Sequence, residues 1–160
     1  MSDFYKLKVV KLAKKTKNAT VVIFGIPDEL QDMFSFKPGQ FISLRFVINN
    51  EEFRRSYSIC SSPLRKNSIQ IGVKRVHNGL VSNHINDHIK INDIVEVLPP
   101  LGRFFADVKQ SNYKTYYLFA AGSGITPILS ILKAVLKTEA KSFVFMVYGN
   151  KNKDSIMFNE

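Results

Sequence analysis

The side chains best suited to holding a charged, flat ligand are gathered in residues 54–63, which read Arg-Arg-Ser-Tyr-Ser-Ile-Cys-Ser-Ser-Pro. Side chains alternate along an extended segment, so Arg55, Tyr57 and Ile59 fall on one side and Ser56, Ser58 and Cys60 on the other. A guanidinium forks onto phosphate oxygens, and a phenol ring lies against another ring. The set therefore suits a ligand with a phosphate end and a planar end. The same residues also read as an ordinary antiparallel strand with a polar wet face, and nothing inside the stretch decides between the two.

A second constellation is Ala120-Ala121-Gly122-Ser123-Gly124-Ile125-Thr126-Pro127, between an apolar strand and a helix. Glycines there let the backbone approach a ligand, and exposed amides at the helix start favour a pyrophosphate. Pro127 suits the first helical turn, where a missing N–H costs little. The third glycine of the usual dinucleotide fingerprint is lacking, so a plain tight turn stays open as a reading. Tyr148-Gly149-Asn150 ends the next strand on the same sheet edge, where ligands of open sheets sit. A third passage, Val76 to Ser82, reads either as a helix cap or as a phosphate cradle built from Gly79, the amides that follow and the Ser82 hydroxyl. His84 and His88 stand four apart, a spacing that can grip zinc. No acidic residue completes an HExxH motif and no cysteine lies beside them, so no metal site is expected. No nucleophile–base–acid arrangement is visible either.

The elements that must position these residues fall into two patterns. Strands are expected at 5–12, 19–26, 40–48, 54–60, 68–76 and 94–98, the last closed by Pro99-Pro100, with a turn at Asn49-Asn50-Glu51-Glu52 and a helix from residue 79 or 80 to 89. Six short strands and one helix predict an all-β, six-stranded antiparallel barrel over residues 1–107. Strand 115–121, helix 125–137 and strand 141–148 then form a strand–helix–strand unit whose strands are apolar throughout, as in a parallel sheet covered on both faces. Residues 108–160 thus read as an incomplete α/β nucleotide-binding domain, the first half of a doubly wound sheet.

Composition sets the outer limits. The chain has 160 residues, of which 45% are hydrophobic, with 13 Phe, 6 Tyr and no Trp, a globular and sheet-prone make-up. Its 23 Lys and Arg against 13 Asp and Glu leave a formal charge of +10, which suits an anionic partner. The lysines are scattered and form no arm or stripe, which argues against nucleic acid. Cys60 is the only cysteine, so neither an internal disulfide nor a thiolate cluster is possible within the chain. No leader-like segment and no membrane-length apolar run is present, and a cytoplasmic location away from membranes is expected.

Arg55-Ser56-Tyr57-Ser58, Gly79-Leu80-Val81-Ser82, Gly102-Arg103-Phe104, Ala121 to Pro127 and Tyr148-Gly149-Asn150 occur in the order of the ferredoxin–NADP reductase superfamily, and the chain resembles that family over essentially its whole length. Arg54 to Cys60 is most similar to reductase subunits of phenylacetyl-CoA epoxidase systems. The resemblance implies FAD held by Arg55 at its pyrophosphate, by Tyr57 packed on the isoalloxazine, and by the backbone of Val73, Lys74 and Arg75. It implies Gly79, Leu80, Val81 and Ser82 at the flavin phosphates. Ser58 would approach the redox edge of the ring, and Thr126 the nicotinamide. Tyr57, Ser58 and Thr126 are therefore the candidates nearest the chemistry. Gly122, Ser123, Gly124, Ile125, Thr126 and Pro127 would take NADH or NADPH, with Tyr148, Gly149 and Asn150 beyond them.

The implied activity is hydride uptake from NAD(P)H by FAD, followed by single-electron delivery to an iron–sulfur protein or oxygenase in aromatic or phenylacetyl-CoA degradation. Relatives of this type carry a 2Fe–2S domain held by four cysteines. With Cys60 alone, such a centre is expected only in a missing domain or a partner. Lys151 stands where family members often have arginine, so the choice between the two nucleotides stays open. A free flavin reductase, a flavohaemoglobin-type reductase module and a non-catalytic flavin-binding module share the same motifs.

Overall fold

Ile42, Leu44 and Phe46 alternate with half-exposed Ser43 and Arg45 along one strand, and Val95 and Val97 do the same along another. That alternation gives each strand one apolar face, which is buried here by curving the sheet upon itself. The computed structural model, which describes residues 3–159, shows the result. Strands β1 (Tyr5–Thr16), β2 (Ala19–Gly25), β3 (Phe41–Ile48), β4 (Glu51–Ser58), β5 (Ser68–Lys74) and β6 (Ile94–Leu101) form one antiparallel sheet in the order β4-β3-β6-β1-β2-β5. A bridge between Ile59 and Ile71 joins the two edge strands and closes the barrel. Helix α1 (Leu80–Asp87) packs Val81 and Ile85 into the barrel core. Asn86 ties it down, accepting from Thr20 Oγ1 at 2.9 Å and donating to the Val73 carbonyl at 3.3 Å.

Several boundaries differ from the sequence reading; β1, for one, runs on to Thr16 where an end at residue 12 was expected, and two of the differences have a clear cause. The turn expected over residues 49–52 is only two residues long, since Asn49 (φ 53°) and Asn50 (φ 64°) both adopt the left-handed conformation of a tight hairpin, and β4 begins at Glu51. Pro99-Pro100 does not close the sixth strand, which runs on to Leu101. Both prolines fall where the β3–β6 register slips, between the pairs Phe41–Leu101 and Ser43–Leu98. A bulge breaks the ladder locally, so the absent proline N–H groups are tolerated there.

The remaining chain forms β7 (Thr115–Ala121), α2 (Ile125–Thr138) and β8 (Phe143–Gly149), with β7 and β8 paired in parallel. Buried Glu139 organises this unit. Its carboxylate accepts from Asn112 Nδ2 at 2.6 Å, Tyr116 Oη at 2.9 Å, Ser142 Oγ at 2.6 Å and the Lys109 amide at 3.2 Å. Burial alone would raise its pKa, but the donors from Ser142, Asn112 and Tyr116 hold the carboxyl below its ordinary range.

The two sheets meet through α2. Ser130 Oγ donates to the Ser61 carbonyl at 2.7 Å and Lys133 Nζ to the Cys60 carbonyl at 3.0 Å. Gly72 on β5 makes the approach possible, because a Cβ there would stand 2.7 Å from Thr126 Cγ2. Strand β2 is consequently buried on both faces, with Val22 and Phe24 in the barrel core and Ala19 in the cluster under α2.

Candidate functional site

A cleft of about 740 Å³ lies where β4, β5, the start of α1 and the start of α2 converge. Arg55, Ser56, Tyr57 and Ser58 supply one wall. All four reach it, although strict alternation had split them between two sides. β4 is an edge strand, so its outer edge is open towards the cleft. Arg55 is exposed and donates from Nη1 to the Arg54 carbonyl at 2.8 Å, and it makes no salt bridge among the described residues. Its fork is therefore available to an anion. Burial pushes the Tyr57 phenol up to about 12, against the pull of the Arg55 charge. Tyr57 is accordingly a neutral ring and hydroxyl donor at ordinary pH.

The opposite wall carries two helix starts. Gly79, Leu80, Val81 and Ser82 line the cleft at α1, and Ser123, Gly124, Thr126 and Pro127 line it at α2. Neither N-terminus has a side-chain cap or an acidic residue in its first turn. The free amides of α1 and the dipoles of both helices therefore favour an anion, although the Ile125 amide at the start of α2 is already used on the Gly122 and Ser123 carbonyls. Lys74 adds a cation from β5, and among the described residues no acidic side chain lines the cleft. An aromatic ring beside two helix starts, an arginine and a lysine fits a planar cofactor with a diphosphate. The hydroxyls take a different part from the one read in the sequence. Ser82 Oγ accepts from the Val76 amide at 3.1 Å and donates to the Gly79 carbonyl at 3.2 Å, so it braces the turn. Thr126 Oγ1 likewise donates to the Ser123 carbonyl at 3.0 Å.

Several residues singled out from the sequence turn their side chains away from the cleft, although for Val73 and Arg75 it is the backbone that was expected to line it. Val73 is fully buried in the barrel core and Ile125 beneath α2. Arg75 points to Asp87, which it grips with both Nη atoms, one at 2.6 Å, and the hydrogen bonds it donates to Asp87 hold its guanidinium above its ordinary pKa. Gly122, Tyr148, Gly149 and Asn150 gather at the carboxyl end of the β7–β8 sheet, where Tyr148 Oη donates to the Gly122 carbonyl at 2.9 Å. There the amide oxygen and nitrogen of Asn150 are both buried without a partner among the described residues. Four lining residues escaped the sequence reading as site members: Ser56, Gly72, Val76 and Asn78. A glycine inside a strand pattern and an Asn-Gly pair were the available signals for two of them. His84 and His88 lie on α1 with ring centres 5.3 Å apart, and among the described residues no group of three or more potential ligands gathers for a metal.

Fold and cleft together define an oxidoreductase module of the ferredoxin–NADP reductase superfamily. Residues 6–105 match the family described as oxidoreductase FAD-binding domain and residues 118–160 that described as oxidoreductase NAD-binding domain, and the chain belongs to this FAD-binding oxidoreductase family. Among individual proteins, it is 37% identical over 160 residues to a 1,2-phenylacetyl-CoA epoxidase component of Escherichia coli, covering 100% of the chain and 45% of the relative. It is 39% identical over 155 residues to the ferredoxin reductase component of 3-ketosteroid-9-alpha-monooxygenase of Rhodococcus rhodochrous, covering 96% and 43%. The solved structure of phthalate dioxygenase reductase, described as modular for electron transfer from pyridine nucleotides to a 2Fe–2S centre, superposes with a TM-score of 0.81 at 28% identity. That match covers 97% of the chain and 46% of the reductase. The chain spans less than half the length of these relatives. No helix among the described residues is long and apolar enough to cross a membrane.

Proposed function

We propose that the chain is the flavin-holding and nicotinamide-facing part of a reductase component that serves an iron–sulfur protein or an oxygenase, with phenylacetyl-CoA oxidation the first system to test. One observation carries the reading: Arg55 and Tyr57 on β4 face two uncapped helix starts across a single cleft. Bound FAD would supply the redox chemistry, taking up a hydride and releasing electrons one at a time.

The residues of the chain do the holding. Arg55 binds diphosphate oxygens through a charge-assisted fork, and the amides of Leu80, Val81 and Ser82 receive the same group from the other side. The Tyr57 ring orients the planar end, and Ser58 borders it. Ser123, Gly124 and Pro127 form the floor on which a nicotinamide dinucleotide approaches. The Ser82 and Thr126 hydroxyls shape the two turns. No side-chain base takes part, in keeping with a cleft that has no acidic lining residue. The division at residues 107 and 108 is supported by the backbone: the Ala106 amide donates to Pro38 of the barrel at 3.1 Å, while that of Lys109 donates to Glu139. We place the protein in the cytoplasm, with the acceptor as a soluble partner.

The test is cofactor extraction and titration. The purified chain retains FAD in preference to FMN, and Arg55→Ala weakens FAD binding about tenfold to a hundredfold, the worth of one charged hydrogen bond. The variant keeps its fold because Arg55 is exposed. Recovery of FMN alone, or no uptake of flavin on reconstitution, would overturn the reading.

A further inference from the structure

Gly102-Arg103-Phe104, a motif legible in the sequence, takes no part in the cleft. The chain leaves β6 here and exposes three apolar side chains within five residues: Leu101 at 49%, Phe104 at 59% and Phe105 at 41%. Hydrogen bonds hold the loop at both ends. Gln40 accepts from the Lys37 amide at 2.8 Å and donates to the Gly102 carbonyl at 3.2 Å, and the Ala106 amide donates to the Pro38 carbonyl at 3.1 Å. Between them the backbones touch, since a Cβ on Gly39 would stand 2.6 Å from the Phe104 carbonyl. Apolar rings held outward by fixed backbone mark a surface that meets another molecule.

Strand register places this loop beside the cleft. Phe41 pairs with Ser58 on β4 and with Leu101 on β6. Directly opposed residues of antiparallel strands share a face, so Ser58, Phe41 and Leu101 lie on the outer face while the neighbouring Ile42 enters the core. Two inter-strand steps put Leu101 about 10 Å from Ser58, which borders the cleft. Arg103 and Lys37 are exposed in the same pair of loops, Lys37 lying over the Phe105 ring at 4.3 Å. A neutral ring does not cancel that charge. Neither residues 36–41 nor residues 99–106 include an acidic side chain, and Asp107, just beyond, pairs with Lys109 Nζ at 2.7 Å. Lys37, Pro38 and Ala106 also line a recess of about 240 Å³, which gives an anchoring side chain of a partner somewhere to go.

We propose that Leu101, Arg103, Phe104, Phe105 and Lys37 form the docking surface for an acidic iron–sulfur protein, seated beside the Ser58 end of the cleft. The identity of the partner rests on the reductase reading above; the surface itself does not. The rings supply contact area that leaves water on association, while Arg103 and Lys37 set the encounter rate and its salt dependence. The formal charge of +10 adds attraction at longer range. Five side chains make a small footprint, suited to a complex that forms and parts quickly.

Amide-resolved NMR titration of the full chain with a purified, acidic plant-type 2Fe–2S ferredoxin locates the contact directly. Signals of Lys37, Leu101, Arg103 and Phe105 should shift or broaden to saturation, and the affinity should fall about fivefold between about 10 and 150 mM salt. Arg103→Glu should weaken binding about tenfold and flatten that salt dependence. Phe104→Ser, at an exposed position, should weaken it about fivefold. Lys90→Glu, in the turn before β6 and at the far end of that strand, changes the net charge equally and should stay within about twofold. Equal losses in Lys90→Glu and Arg103→Glu, wild-type affinity in both Arg103→Glu and Phe104→Ser, or shifts centred on the β7–β8 sheet would overturn the proposal. Self-association abolished by Phe104→Ser, with no response to ferredoxin, would give the surface to a second copy and overturn it as well. Flavin uptake is measured separately. Docking by a chain that takes up no flavin would support the surface and sink the reading of the cleft, whereas flavin uptake without docking would sink the surface alone.

Discussion

Cys60 follows Tyr57 by three residues, yet the two side chains live in different media. Tyr57 borders the cleft, while Cys60 is fully buried and its thiol is pushed up to about 12 by burial, against the pull of Lys133. A thiol so placed is almost entirely protonated at neutral pH and is no nucleophile. Native protein should resist alkylation at about pH 8 and react fully in denaturant. The sign of the stability effect follows from the raised value. The unfolded state loses the proton near its ordinary pKa, the folded state holds it to about 12, and stability is therefore complete below about 9 and falls between about 9 and 12. Thermal melts should show wild type losing about 1 kcal/mol by pH 10 that Cys60→Ala does not lose. The same variant should keep its flavin and its reduction by dithionite. Loss of reduction with binding intact would place the thiol in the chemistry.

At the scale of elements, the two helix starts make separable predictions. A Cβ added at Gly79 would lie 2.6 Å from Ser82 Oγ and 3.1 Å from the Val76 carbonyl, so Gly79→Ala must dislodge the hydroxyl that braces the first turn of α1. It should cost about 1 kcal/mol of stability and weaken flavin binding. A Cβ at Gly124 meets nothing within 4 Å, and the residue already has helical backbone angles. Gly124→Ala should therefore leave the melting temperature unchanged or slightly raised. Its methyl group nevertheless stands at the cleft lining, so NAD(P)H binding should weaken while flavin stays bound. Paired melts and flavin-fluorescence titrations check both, and equal losses of stability would refute the contrast.

At the scale of the whole molecule, the β7–β8 sheet is covered on one face only. Tyr117, Phe119, Phe143, Phe145 and Val147 share the other face, and Phe119 is 70% exposed. The Tyr117 and Phe145 rings stack there at 5.5 Å, with no further layer above them among the described residues. Exposed apolar surface of this kind drives association. The chain should bind a hydrophobic dye and elute partly as oligomers, and Phe119→Ser with Phe145→Ser should raise the monomer fraction measured by light scattering without changing flavin affinity. Hydride transfer needs the nicotinamide close to and aligned with the flavin, and small misplacements are costly. With one side of the nucleotide site provided here, reduction of bound flavin by NADH or NADPH should be slow. A chimaera carrying in addition the part of the Escherichia coli relative that lies outside the match should be much faster by stopped flow. Equal rates in the two proteins would refute this, and the faster nucleotide would show the preference that Lys151 leaves open.

Local pattern was enough for the strand periods, the barrel followed by strand–helix–strand, and the family, because alternation, apolar runs and glycine-marked turns are written in consecutive residues. Arg55 and Tyr57 were legible for the same reason, as were the glycines that start α1 and α2. Which residues meet was not. Val73 and Arg75 flank Lys74 and by strict alternation would share a side, yet the Val73 side chain is in the core while Arg75, just past the end of β5, is bound to Asp87, a partner twelve residues off. Ser82 and Thr126 carry the hydroxyls a phosphate site would want, but backbone groups three and six residues away claim them first. The run of Pro99-Pro100 through β6 depended on a register slip against β3, and Gly72 as a site residue depended on α2 crossing β5. These are long-range contacts, made only when the chain closes on itself, and a linear pattern holds no record of them.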